Sequence, residues 1–149
     1  MGETDSAVDS LLHLLEETSS DFAGLGQIDA AARRIRWRFA AGSISEARML
    51  SITQKTTRGL SGVAIRTGRP AATEIDNHSK ESLRLDEPLM FSEQLRSAAV
   101  VPVEGAAGLI GVILLGRRIE RDYIPRELQL ALLAATRLAG AIPEVQNNR

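Results

Sequence analysis

An α+β fold built on a central antiparallel sheet follows from three features of the chain. Helical periodicity is confined to its two ends, the β-rich runs between them come in pairs joined by short turns, and a glycine-bracketed stretch at 58–70 marks a short helix among them. At 149 residues the chain reads as a single domain, 1–149, long enough to bury a substantial core.

Residues 5–18 place Val8, Leu11, Leu12 and Leu15 at helical spacing, with Asp5 or Ser6 able to cap the start and Leu14 widening the apolar face. His13 lies in this helix as a lone histidine with no second histidine at ligand spacing, which points to a partly exposed helix position. Ser19-Ser20-Asp21 ends the helix, and Phe22–Ile28 follows as a strand whose glycines at 24 and 26 allow something to approach closely. After a turn at Asp29-Ala30, the alternation from Ala31 to Phe39 predicts a hairpin partner, with Arg34, Arg36 and Arg38 outward and Ile35, Trp37 and Phe39 inward. Trp37 is the only tryptophan. Its buried indole N–H needs an acceptor, either within the core or on a small bound ligand.

Gly42–Thr57 reads as a turn followed by a strand at Leu50–Gln54. In Arg58–Pro70, Gly59 and Gly62 bracket a loop-to-helix transition, Leu60, Val63 and Ile65 supply apolar contacts, Gly68 ends the turn as a left-handed cap and Pro70 forbids continuation. The first amides of this helix, near Leu60, Ser61 and Gly62, have no partners within it and carry the positive end of its dipole. They meet solvent or a side chain, or, if that end faces a cavity, they offer a site for a small anion.

Ala71–Ile75 fits a short strand, and 76–86 a polar loop in which His78 is expected to face solvent. Glu87 and Pro88 suit the start of a short helix over Leu89–Leu95. Ser97–Val103 and Leu109–Leu115 are β-rich runs of nearly continuous apolar character, so both faces of each are expected to be covered. Pro102 lacks an N–H and calls for a bulge or an edge. Pro125 opens a last helix to about Ile142, with Leu128, Leu132, Ala135, Leu138, Ala139 and Ile142 on one side. A stripe that broad suits packing on the sheet, on the first helix, or on the same pair in a second copy.

Composition narrows the chemistry. With 18 basic and 19 acidic residues the net charge is −1, which provides no general drive toward nucleic acid or membrane. The absence of cysteine excludes disulfides, thiolate metal sites and thiol nucleophiles. No Ser/His/Asp arrangement, metal-ligand spacing or phosphate-loop signature is present, so no catalytic or metal site is expected. Neither a leader pattern nor a membrane-length apolar run is found, and a cytoplasmic location is expected.

Gly59-Leu-Ser-Gly62 with Thr67-Gly-Arg-Pro70, Ser97–Val103, Gly111-Val-Ile-Leu114 and the Pro125-started helix together resemble a GAF domain over nearly the whole length. The resemblance implies that the terminal helices cover one face of the sheet, while short helices and loops enclose a pocket on the other. Asp21–Leu25, Ile35–Gly42, Arg48 and the Gly59–Gly62 turn further resemble stand-alone GAF proteins that act as nitrate receptors for an oxygen-sensing histidine kinase. In those proteins the anion lies among an indole, the amides opening the short helix and the backbone of a strand. Carried over residue by residue, the implied ligand set is Trp37, Leu60, Ser61, Ala99 and Val101, although a small Ala99 stands where a larger aromatic is expected. The implied function is a non-enzymatic sensor without a cofactor. It would bind nitrate or a similar small anion, dimerise through its terminal helices and signal to a sensor histidine kinase. The alternative is a dimerising interaction domain whose pocket is filled, or one that binds another small metabolite.

Overall fold

The computed structural model describes residues 3–76 and 86–143, so the expectation for His78 lies outside the described residues. The elements run α1 (Glu3–Glu17), β1 (Phe22–Asp29), β2 (Arg34–Ala41), α2 (Glu46–Ser51), β3 (Thr53–Lys55), α3 (Gly59–Thr67), β4 (Ala71–Ala72), α4 (Pro88–Ser92), β5 (Ser97–Gly105), β6 (Gly108–Arg117) and α5 (Pro125–Leu138). A 3₁₀ turn at Ala139–Ala141 follows α5. The six strands form one antiparallel sheet in the order β3-β2-β1-β6-β5-β4.

Each face of this sheet is buried, because its strands send apolar side chains alternately to two separate cores. On one face Leu25, Val101, Val103, Ile113 and Leu115 meet Leu11 and Leu14 of α1 and Ala131, Ala134 and Leu138 of α5. On the other, Phe22, Ile35, Trp37, Val112 and Leu114 meet Met49 of α2, Leu60 and Ala64 of α3, and Leu89, Met90 and Leu95 in and after α4. The terminal helices thus share one layer and the short helices the other, which is the α+β arrangement expected. Among the described residues no helix is long and apolar enough to cross a membrane.

Several local expectations are corrected. Helix α1 buries Leu11 and Leu14 as expected but turns Ala7 inward as well and leaves Leu12 45% exposed, so its buried stripe is rotated from the 8/11/12/15 row. Phe39 does not share the face of Trp37: the register shifts between Leu25 and Gly26, opposite Arg38, and Phe39 packs against the α1/α5 core. A bulge places one extra residue in β2 and inverts the alternation beyond it. In the 42–57 connector, Ser45 caps α2 by accepting from the Arg48 amide, and a helix forms where a turn was expected, leaving only Thr53–Lys55 to pair with β2. Helix α3 reaches nine residues and ends on Gly68 at φ 68°. Pro102 is accommodated because β4 is only two residues long and pairs β5 at Val100 and Ala99, so β5 is an edge beyond that point.

A buried cation joins three of these elements. Arg117, 1% exposed at the end of β6, donates to the carbonyls of Thr18, Ser19, Arg121 and Asp122 and pairs with Glu127 of α5 at 2.8 Å. Its guanidinium carbon lies 3.8 Å from the centre of the Tyr123 ring. The Tyr123 hydroxyl is 2.7 Å from Ser20 Oγ, and burial above all pushes its pKa up to about 12. The exit of α1, the exit of β6 and the entrance of α5 are therefore held at one point.

Candidate functional site

The entrance of α3 is buried, and a carboxylate sits on it. Gly59 adopts φ 71°, which turns the chain so that Leu60, Ser61 and Gly62 open the helix inside the second core. A Cβ at Gly59 would lie 2.7 Å from Glu87 Oε1 and 2.9 Å from the Asp86 carbonyl, so only glycine leaves room for the acidic side chain there. Glu87 immediately precedes Pro88, the first residue of α4, and that start directs its side chain across to α3. Its Oε1 accepts from the Ser61 amide at 2.9 Å, and its Oε2 accepts from Ser61 Oγ at 3.0 Å and from Gln54 Nε2 at 2.6 Å. The Leu60 amide also favours the charged form. Gln54, buried on the short edge strand β3, in turn accepts from the Trp37 indole at 2.8 Å.

The result is a buried relay: Trp37 to Gln54, Gln54 to Glu87, and Glu87 to the α3 amides. Glu87 is 1% exposed, Ser61 0% and Gln54 5%, so the whole chain is dry. In such surroundings its bonds are strong, and each depends on the next. A helix N-terminus with an added hydroxyl and amide donor is suited to a negative group, and the protein supplies that group itself.

Burial is the largest influence on the Glu87 carboxyl and raises its pKa, against the Ser61 amide, Gln54, Ser61 Oγ and the Leu60 amide, which lower it. A raised folded-state value means that the native protein binds more protons than the unfolded chain between the two pKa values. This group's contribution is therefore fully present at acid pH and is lost as pH rises through the raised value. The stability of wild type relative to a Glu87→Gln variant should accordingly decline as pH rises above the ordinary 4.5. Urea unfolding at a series of pH values measures this difference, and a flat one would show that the carboxyl is not held as described.

Of the residues expected to line a ligand site, the structure brings Trp37, Leu60 and Ser61 into one layer, with Ser61 on Glu87 directly and Trp37 through Gln54. Ala99 and Val101 are not brought to the carboxylate, since their side chains lie in the α1/α5 core on the opposite face. On the β4 side the Ala98 carbonyl accepts from the Thr73 amide and the Ala98 amide donates to Thr73 Oγ1, each at 2.9 Å. By alternation Ala99 and Val101 turn their backbone groups toward β6, with which both are paired. Sequence reasoning missed Glu87 and Gln54. The dipeptide Glu87-Pro88 was legible as a helix start, but nothing local told that the glutamate crosses to another helix. Among the described residues no group of histidine and acidic side chains could hold a metal ion.

A two-faced antiparallel sheet with the terminal helices on one side, and short helices on the other with the Glu87 carboxyl seated at the entrance of α3, is the α+β architecture of a GAF-like domain. The chain belongs to the GAF domain family, whose model matches residues 3–142. No curated protein matches it in sequence. Among solved structures it is similar to the GAF domain of an Acinetobacter phosphoenolpyruvate-protein phosphotransferase, with 15% identity and a TM-score of 0.76 over 95% of this chain and 82% of that one. It is also similar to NreA from Staphylococcus aureus mutated in its nitrate-binding site, with 24% identity and a TM-score of 0.67 over 80% of this chain and 90% of that one. A third is the free methionine-R-sulfoxide reductase of Neisseria meningitidis, with 16% identity and a TM-score of 0.72 over 94% and 77%. At these identities the likeness to solved structures speaks for the fold alone.

Proposed function

We propose that this chain is a non-catalytic regulatory GAF module of the cytoplasm that keeps its anion place filled from within. The observation that supports this is the Glu87 carboxylate, seated on Ser61 and Gln54 where an external anion would have to lie. An attached group competes at a high effective concentration, so a free ion of modest affinity is at a disadvantage. Phe22, Met49, Leu89 and Met90 pack around the relay and complete an ordinary core. Signalling then runs through contacts with a partner protein, and Leu12 of α1 and Leu133 of α5, 45% and 60% exposed, suit a homodimer through the terminal helices. Thiol chemistry of the reductase kind is unavailable to a chain without cysteine.

A second reading, a nitrate receptor that signals to a sensor histidine kinase, is favoured by the donors themselves. An indole and the amides opening α3 are neutral groups suited to a planar monovalent anion, and the likeness to NreA is in keeping with it. On that reading nitrate must displace Glu87. Titration calorimetry of the whole chain with nitrate, nitrite and chloride separates the two. The first reading expects no saturable heat from wild type at millimolar nitrate. A saturable nitrate heat that disappears in Trp37→Phe would replace it with the second.

A further inference from the structure

Outside the buried relay, at the edge of the sheet, a cleft of about 330 Å³ is lined by Arg34, Gln54, Lys55, Arg58, Asp86 and Pro88. Its charges are unbalanced in a chain that is close to neutral. Arg34 and Lys55 stand directly opposite each other on β2 and β3, an arrangement of like charges that works against the pairing. Neither has an ion-pair partner among the described residues. Arg58, the residue capping α3, reaches Asp86 through Nε at 3.4 Å and Nη2 at 3.3 Å, long bonds between side chains 56% and 40% exposed. Among the described residues, three cations against one carboxylate leave two positive charges, 3 − 1, on the lining of this cleft. Gln54, the middle link between Trp37 and Glu87, is also part of its lining.

We propose that this cleft binds a small dianion of the phosphate class, held between Arg34, Lys55 and Arg58. A phosphate group offers oxygens that a guanidinium fork engages two at a time, and its charge matches the excess. Edge strands carry lysine and arginine for another reason, to discourage pairing with a second chain, but that role needs neither the third cation from α3 nor a concave wall. The ligand meets the buried relay at two points. It contacts Gln54 from outside, and by taking Arg58 from Asp86 it acts on the residue adjacent to Glu87. The proposal stands whether or not Glu87 is ever displaced, because the cleft lies outside the dry site.

The test is calorimetric titration of the whole chain with inorganic phosphate and with pyrophosphate at constant ionic strength, followed in parallel by the emission of Trp37, the only tryptophan. A saturable heat with a matching emission change is expected. The Arg34→Gln/Lys55→Gln variant alters exposed side chains only and should weaken binding about tenfold or more, while Arg126→Gln, on the exposed start of α5, should leave it unchanged. A response that potassium chloride reproduces, or that Arg126→Gln lowers as much as the double variant does, would mean solvated edge charges and overturn the site.

Discussion

Replacing Glu87 with alanine should lower the melting temperature, and added formate or nitrate should recover part of the loss. The substitution leaves the Ser61 amide, Ser61 Oγ and Gln54 Nε2 without their acceptor in a site that water does not reach. Stranding buried donors costs about 1–3 kcal/mol each where no new partner is found. A net loss of about 3 kcal/mol, or about 6–12 °C for a domain of this size, is the expected result. The variant also opens a hollow shaped by a carboxylate, so small planar anions should stabilise it more than chloride does, measured as melting temperature against anion concentration. Wild type should show no such preference, since its hollow is filled. A variant that melts with wild type would mean that the donors find other partners and that Glu87 does not organise the α3 entrance. A destabilised variant indifferent to formate and nitrate would instead show that the space collapses.

The second large effect belongs to the other core. Arg117→Met should destabilise the protein by about 3–5 kcal/mol, read from urea unfolding. The side chain satisfies four carbonyls and pairs with Glu127, which also accepts the Ile124 amide at 2.9 Å and thereby orders the first turn of α5. Methionine fills part of the volume but abandons those carbonyls and leaves a poorly exposed carboxylate. Arg117→Lys should recover little, because a single ammonium cannot span the loops on both sides and lacks the flat face that lies over Tyr123. A cost below about 1 kcal/mol, the scale of a surface ion pair, would show that the cluster is solvated.

Much of the fold was legible because its signals are local. The paired β-rich runs, the glycine at the end of α3 and the proline at the start of α5 act through backbone geometry, which any surroundings must respect. Local signals failed where a neighbour decides. The helix at Glu46–Ser51 forms where a turn was expected and takes the first two residues of the expected Leu50–Gln54 strand, because the Ser45 cap and the packing of Met49 favour it. Phe39 was placed on the wrong face because a one-residue bulge inverts alternation and leaves no mark in composition.

The amino-acid sequence alone determined the order of elements apart from α2, the two-sided burial of β5 and β6, the absence of thiol chemistry and the position of unpaired amides at the opening of α3. Only the tertiary structure decided what those amides meet. Ser61 and Glu87 are separated by 26 residues, and Trp37 and Gln54 by 17, so their union depends on how α3, α4 and β3 converge over the sheet. Hydrogen-bond demand is a property of each residue, whereas the partner that answers it is a property of the packed chain.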